Sequence, residues 1–159
     1  MNQTPQQNAK NCKNYSKYFY ILFHNKMITD GDHLSLEDVQ CEPIFRFDRM
    51  GLANKGKYHT FVIVDPDAPV GFWIHQCLYN IPEDRINYGK TLLPYFPPTP
   101  PSGTGEHRYF CILYEQKDMI TKDVEVNGRG FARYADFTKL LGCSMLPKAS
   151  KFFICEFEG

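Results

Sequence analysis

Five prolines lie close together between Leu93 and Gly105, in the segment Pro94-Tyr95-Phe96-Pro97-Pro98-Thr99-Pro100-Pro101. Each proline ring removes a backbone hydrogen-bond donor, so this segment cannot belong to a central β-strand. The residues on either side have the composition of strands of one sheet, which argues against a linker between two domains. The segment is therefore predicted to be a stiff loop that forms one wall of a pocket.

The strongest strand signals lie on both sides of this loop. Thr60 to Val64 is a continuous apolar and β-branched run, as expected for a central strand. Phe72 to Ile81, Arg108 to Glu115 and Ser150 to Phe157 are also rich in aromatic and branched residues, which favours strands. Aromatic residues at helical spacing predict one helix at about Phe131 to Leu141, with its aromatic side chains in the core. This balance predicts a mainly β protein with antiparallel sheets and one or two short helices.

Length and charge restrict the classes of protein that fit. A chain of 159 residues suits one domain with one core, predicted here at residues 18–159. Residues 1–17 are polar and are predicted to be a flexible N-terminal arm. Lysine plus arginine and aspartate plus glutamate number 18 each, so no net field attracts nucleic acid. Nucleic acid is therefore not expected as a partner.

The cysteines and the N-terminal region indicate a cellular location. Six cysteines are spread along the chain without a C-x-x-C pair, which is typical of buried, reduced thiols in a cytosolic protein. The first fifteen residues contain no apolar signal region, and the apolar stretch Tyr18 to Phe23 is too short to span a bilayer. The sequence therefore predicts a cytoplasmic protein without a transmembrane segment.

Ionisable and aromatic residues recur at alternate positions of three segments that are predicted to be extended. Side chains two residues apart emerge on the same face of a strand. The pairs that result are Asp65 with Asp67, Trp73 with His75, and His107 with Tyr109. Brought together, these groups would form a small polar pocket. Its imidazoles could donate to phosphate oxygens, and its carboxylates could accept from an ammonium group.

Structural roles for the same residues remain open at this stage. Asp65 and Asp67 have the features of turn residues at the end of a strand, since prolines follow closely. His75 lies inside an aromatic strand, where a histidine that is satisfied by the core is common. Arg108 would face away from His107 in a regular strand, so it is predicted to form a structural ion pair with a nearby acid.

Three motifs occur in a particular order: Asp65-Pro66-Asp67-Ala68-Pro69, then Trp73-x-His75, then Pro100-Pro101-x-Gly103-Thr104-Gly105-x-His107-Arg108-Tyr109. With them the chain resembles the phosphatidylethanolamine-binding proteins, a family that includes Raf kinase inhibitor protein and the plant flowering regulators. The resemblance extends from about Leu34 to Phe157. It implies a large central antiparallel sheet, a smaller second sheet and little helix.

The resemblance also implies a ligand site and several of its details. The ligand-binding residues would be Asp65, Asp67, His75, Pro101, His107 and Tyr109. The rim of the pocket would include Pro69, Trp73 and Thr99. Ala68–Pro69 corresponds to a position where family members have a cis peptide bond. No catalytic residue, cofactor or metal ion is implied.

The chain departs from the family pattern in two places that concern the pocket. Only Val70-Gly71-Phe72 separates Pro69 from Trp73, where the family usually has a longer loop. The sequence ends at Gly159, soon after the last predicted strand, so this is expected to be a short form without the C-terminal helix of animal members. The missing helix predicts a more open pocket.

The favoured function at this stage is that of a non-enzymatic binding protein. Its pocket would take phosphate or a phosphatidylethanolamine head group, and it would regulate or inhibit a protein partner such as a kinase, a protease or a transcription complex. One alternative is a metal-dependent or acid–base hydrolase that uses the Asp/His cluster. Another is a protein-interaction module whose pocket has degenerated.

Overall fold

A computed structural model describes residues 3–12, 15–47 and 54–159. The described chain forms two β-sheets with two short α-helices. The smaller sheet has three antiparallel strands in the order β2-β1-β4; these are β1 (Tyr20–Phe23), β2 (Lys26–Met27) and β4 (Ile44–Arg46). None of the helices among the described residues is long and apolar enough to cross a membrane.

The larger sheet has the strand order β3-β10-β8-β5-β6-β7, and β9 pairs with part of β6. Its strands are β3 (Asp32–His33), β5 (Tyr58–Ala68), β6 (Gly71–Pro82), β7 (Lys90–Leu93), β8 (His107–Gln116), β9 (Gly130–Phe131) and β10 (Met145–Cys155). All neighbouring pairs are antiparallel except β3 with β10. The predicted mainly β fold with a large central sheet and a smaller second sheet is confirmed.

The central strand β5 is apolar on both faces because both faces of the large sheet are covered. Phe61 and Ile63 point into a core shared with the small sheet, where the ring of Phe61 stacks on Phe45 at 3.7 Å between centroids. Val62 and Val64 point to the opposite side, into a second apolar cluster. Burial on both sides explains the continuous apolar run in this strand.

The predicted helix at about 131–141 is shorter in the structure. Phe131 belongs to β9 and pairs with Phe72 of β6, so it is extended and not helical. Helix α2 (Tyr134–Thr138) follows, and a 3₁₀ turn at Lys139–Leu141 continues it. The prediction that its aromatic residues pack in the core is confirmed, because Tyr134 and Phe137 are buried.

The N-terminal segment differs from the loose arm predicted for residues 1–17. Helix α1 (Pro5–Lys10) begins with a capping box in which Thr4 and Gln7 satisfy each other's backbone N–H groups. The amide of the buried Asn8 side chain donates to the hydroxyl oxygen of Tyr114 in β8 at 2.8 Å. The described part of this segment is therefore packed on the large sheet, while residues 1, 2, 13 and 14 lie outside the described residues.

A tight hairpin connects β5 to β6 at one end of the large sheet. Ala68 pairs with Gly71, so only Pro69 and Val70 form the turn. The Ala68–Pro69 peptide bond is trans, which corrects the cis bond implied by the family resemblance. The chain instead reverses with a positive φ of 121° at Gly71, where a Cβ atom would lie 2.9 Å from the carbonyl oxygen of Phe131.

Candidate functional site

A cavity of about 290 Å³ opens where β5 ends and β6 and β8 begin. Eleven residues line it: Asp65, Ala68, Pro69, Val70, Trp73, His75, Thr99, Pro100, Pro101, His107 and Tyr109. Eight of the nine residues predicted from the sequence are among them, and the exception is Asp67. A larger surface cleft of about 690 Å³ lies near Ile44 and Tyr88, but no histidine lines it.

A buried carboxylate–imidazole pair lies at this cavity. The Oδ2 atom of Asp65 is 2.6 Å from Nδ1 of His107, and both side chains are almost completely buried. The other carboxylate oxygen of Asp65 accepts from the backbone N–H of Asp67 at 2.7 Å. Burial raises the pKa of Asp65, and the hydrogen bond with His107 opposes that rise. Both oxygens of Asp65 are therefore already engaged in hydrogen bonds within the protein, so the predicted contact with a ligand ammonium group is not favoured.

The hydrogen bonds around His107 Nε2 show that this nitrogen carries a proton. Thr104 Oγ1 is 2.7 Å from this nitrogen and 2.6 Å from the carbonyl oxygen of Pro101. A carbonyl oxygen only accepts, so the single hydroxyl proton of Thr104 is donated to Pro101. His107 Nε2 therefore carries a proton and donates it to Thr104. The hydrogen bond between His107 Nδ1 and Asp65 Oδ2 contains a second proton. With one proton on Nε2 and one in this hydrogen bond, the pair has no net charge, whichever of the two groups holds the second proton.

His75 has the opposite hydrogen-bonding character on its pocket side. Its Nδ1 atom is 2.6 Å from the carbonyl oxygen of Phe96, so this nitrogen is the donor. Burial lowers the pKa of His75 to about 4, so the ring is neutral near pH 7. The Nε2 atom of His75 then has a free lone pair, and it is a hydrogen-bond acceptor.

Tyr109 contributes a hydroxyl group without a partner. The side chain is completely buried, and its ring lies edge-on to His75 with 5.2 Å between the centroids. Its hydroxyl oxygen has no hydrogen-bond partner among the described residues. Burial raises the pKa of this phenol, so it stays protonated. A buried hydroxyl without a partner costs about 1–3 kcal/mol, which a polar ligand in the cavity would recover.

The proline segment forms a wall of the cavity, as predicted, and Arg129 holds it in place. The guanidinium of Arg129 donates to the carbonyl oxygens of Ile74, His75 and Pro94 at 2.8–3.1 Å. It also lies 5.4 Å from the centroid of the Phe96 ring. The sequence reasoning missed this residue, because nothing in the segment Asn127 to Gly130 shows that it reaches a loop more than thirty residues away.

Asp67, which is predicted to be a ligand-binding residue, is not among the residues that line the cavity. Its carboxylate accepts from the backbone N–H, Nε and Nη2 of Arg108 at 2.8–2.9 Å. The pairing of β5 with β6 shifts between Asp65 and Ala68, so the regular alternation of side chains ends there. The predicted structural ion pair of Arg108 is confirmed, and Asp67 is the acid.

The chemistry available to a ligand is therefore specific. His75 Nε2 is an acceptor, the Tyr109 hydroxyl is an available donor, and the buried pair beside them is neutral. The order carboxylate, imidazole, hydroxyl in Asp65, His107 and Thr104 is also that of a nucleophilic triad, but here the hydroxyl proton is on the side of Pro101. In the part of the chain that the structure describes, no three His, Cys, Asp or Glu side chains are grouped to hold a metal ion.

Comparisons with known proteins agree with this architecture. The 26 kDa secreted antigen of Toxocara canis is 28% identical over 127 residues, which are 70% of this chain but only 47% of that protein. The chain thus spans about half the length of this relative. A carboxypeptidase Y inhibitor, solved in complex with its cognate proteinase, has a TM-score of 0.72 at 20% identity over 88% of this chain and 83% of its own.

A second solved structure, the phosphatidylethanolamine-binding protein from Plasmodium vivax, has a TM-score of 0.68 at 20% identity, over 88% of this chain and 85% of its own. Likenesses at this identity show the fold alone. The sequence model of the phosphatidylethanolamine-binding protein family matches residues 24–149, which is most of the chain. The chain therefore belongs to the phosphatidylethanolamine-binding protein family.

Proposed function

We propose that the cavity binds the phosphate group of a small head group such as phosphorylethanolamine. The observation that carries this proposal is the unpartnered hydroxyl of Tyr109 beside the acceptor nitrogen of His75. A phosphate oxygen accepts from Tyr109, and a protonated phosphate oxygen donates to His75 Nε2. The volume of about 290 Å³ lies at the small end of ligand pockets, so it suits a head group and not a whole lipid.

The test is a titration of the wild type and the Tyr109→Phe variant with phosphorylethanolamine, in which the NMR signals of the backbone amides report binding. We expect the affinity to fall about tenfold, because one hydrogen bond to a charged group contributes roughly 1.5–3 kcal/mol. The free energy of unfolding should be unchanged or higher, because the variant removes a buried hydroxyl without a partner. Equal affinities of the variant and the wild type would overturn the proposal.

Tyr95→Phe is the matched control for this experiment. The Tyr95 hydroxyl donates to the carbonyl oxygen of Val39 at 2.6 Å, and Tyr95 is not among the residues that line the cavity. Its loss should lower stability and leave phosphorylethanolamine binding intact. His107→Ala is less suitable, because it would leave the buried Asp65 carboxyl without its partner and destabilise the fold.

Regulation of a protein partner is the second part of the proposal. It is supported by family membership and by the similarity in fold to an inhibitor that was solved with its proteinase. We propose a protease as the first partner to test and a kinase as the next. Carboxypeptidase Y activity on a synthetic peptide should fall when the protein is added in molar excess, and unchanged activity would exclude this proteinase as a target.

Acid–base hydrolysis is the alternative function, and one observation favours it: the order Asp65, His107, Thr104 along a single hydrogen-bonded chain. For Thr104 to attack an ester with His107 as the base, His107 Nε2 would first have to lose its proton and the Thr104 hydroxyl would have to turn from Pro101 towards it. Turnover of p-nitrophenyl acetate that disappears in Thr104→Val would support this alternative. Turnover equal to that of the buffer would exclude it for this substrate class.

A cytoplasmic location is also kept as a proposal. It is supported by the six cysteines, all of which are free thiols in the structure. Cell fractionation with an antibody against the protein is the direct test. Detection in the culture medium of intact cells would overturn this location and would agree with the similarity to the secreted antigen of Toxocara canis.

A further inference from the structure

We infer that Thr104 occupies the position of the ligand at His107 and that ligand binding displaces its hydroxyl. The segment Pro101–Glu106, called here the Thr104 loop, is then a gate, and Thr104 sets the affinity of the site. This inference rests on the proposed binding of a phosphate group, and it adds a competing group from the protein itself.

Both ring nitrogens of His107 are occupied in the structure. Asp65 takes Nδ1 and Thr104 takes Nε2, at 2.6 and 2.7 Å. The ring lines the cavity, yet its side chain is only 1% exposed. A ligand oxygen can therefore accept from Nε2 only where the Thr104 hydroxyl is now. Because that hydroxyl is uncharged, a phosphate oxygen with a negative charge forms the stronger hydrogen bond to the same N–H group.

The Thr104 loop is held by few contacts. All its residues are exposed, and Thr104 is attached through its turn to the carbonyl oxygen of Pro101 and through its hydroxyl to His107. Gly103 and Gly105 have φ values of 81° and 75°, and a Cβ atom built on either would contact nothing within 4 Å. The loop is therefore not packed against the body of the protein on this side, and it has room to move.

One further contact holds the far end of the loop. The carboxylate of Glu106 is 2.7 Å from Nε2 of His33 in β3, and both side chains are more than half exposed. A pair in this position is screened by solvent and contributes little. Among the residues that the structure describes, the hydrogen bond between Thr104 and His107 is the one that joins the middle of the loop to a buried group, so it is the main restraint on the gate.

The experiment compares the full-length wild type with Thr104→Val and Thr104→Ser. Valine has the shape of threonine without the hydroxyl, and serine keeps the hydroxyl. Each protein is titrated with inorganic phosphate and with phosphorylethanolamine. We expect Thr104→Val to bind both probes about three- to tenfold more tightly than the wild type, and Thr104→Ser to bind within twofold of it. The exposed Thr121, which does not line this cavity, is the control for a threonine-to-valine change.

The NMR signal of the His107 Nε2–H group gives a readout that does not depend on a ligand. It should exchange slowly with water in the free wild type, and at least tenfold faster in Thr104→Val. If the wild type binds phosphate and Thr104→Val binds equally or more weakly, the gate is wrong and the proposed function stands. If neither protein binds either probe, the proposed function is wrong and the gate falls with it. Binding by Thr104→Val alone supports both.

Discussion

The neutral, buried His75 predicts a loss of stability in acid that a single substitution should reduce. Burial is the main cause that lowers the pKa of His75 to about 4, and the nearby cation Arg129 lowers it further. In the unfolded chain a histidine has a pKa of about 6.5. Between pH 6.5 and pH 4, His75 is therefore protonated in the unfolded chain and neutral in the folded protein. The contribution of His75 to stability is complete above that pH and is lost as the pH falls towards 4.

The size of the effect follows from the two pKa values. Between pH 7 and pH 4.5, the different proton uptake of the folded and unfolded states lowers the free energy of unfolding by about 2 kcal/mol. Burial lowers the pKa of His59, another completely buried histidine, to about 4 as well. His59 adds a similar slope to the wild type, so the test needs a variant in which His75 alone is removed.

His75→Asn is the appropriate change, because an asparagine amide can still donate to the carbonyl oxygen of Phe96 in place of Nδ1. Urea denaturation at pH 7 and at pH 4.5 gives the free energy of unfolding of each protein. The decrease in the free energy of unfolding between pH 7 and pH 4.5 should be about 2 kcal/mol smaller in the variant than in the wild type. His24→Asn, at an exposed position with a φ of 54° that asparagine tolerates, should keep the acid loss of the wild type. Equal acid losses in His75→Asn and the wild type would refute the neutral, buried state of His75.

Three further predictions concern the surroundings of the cavity. Asp67→Asn should lower the free energy of unfolding by about 1–2 kcal/mol, because the carboxylate accepts three hydrogen bonds from Arg108. Its affinity for phosphorylethanolamine should be unchanged. A loss of affinity in a variant whose urea denaturation equals that of the wild type would contradict both expectations. Arg129→Ala should release the proline wall, so the Phe96 amide, which donates to the His75 carbonyl, should exchange with deuterium at least tenfold faster. Unchanged exchange would show that the wall is held in another way. Since His75 Nε2 accepts, a phosphate monoester with a second pKa of about 6 should bind at least tenfold more weakly at pH 8 than at pH 6, whereas the diester glycerophosphoethanolamine should show no such dependence. Isothermal titration at both pH values measures this, and a flat profile for the monoester would mean that His75 is a donor.

Much of the fold is predictable from the sequence because local and tertiary requirements agree. Thr60 to Val64 contains only apolar or β-branched residues, and the structure buries both faces of that strand. The helix was predicted too long for a related reason. Phe131 has the spacing of a helical core residue, but its backbone pairs with Phe72, and a strand that is far away in sequence decides its conformation.

The candidate site shows the same limit at the level of single residues. The alternation rule places His107 with Tyr109 correctly, because β8 pairs with β10 without a register shift from Leu113 to His107. The rule fails for Asp67, since the pairing of β5 with β6 is irregular after Asp65. Arg129 had no local signal at all: its partners are backbone carbonyl groups, which every residue has, so the sequence alone does not indicate them.

The balance of charge around the cavity explains why hydrogen bonding, and not attraction between opposite charges, should decide its specificity. Asp65 and His107 are neutral as a pair, and His75 is neutral because it is buried. The two nearby arginines are used elsewhere, Arg108 by Asp67 and Arg129 by backbone carbonyl groups. While the Thr104 hydroxyl occupies His107 Nε2, a ligand therefore meets the Tyr109 hydroxyl as donor and His75 Nε2 as acceptor, and its displacement would add the His107 Nε2–H group as a second donor. Sites of this kind reject analogues that lack the matching group, because a buried polar atom is then left without a partner. The wild-type affinity should accordingly depend more on where the ligand carries its proton than on its total charge.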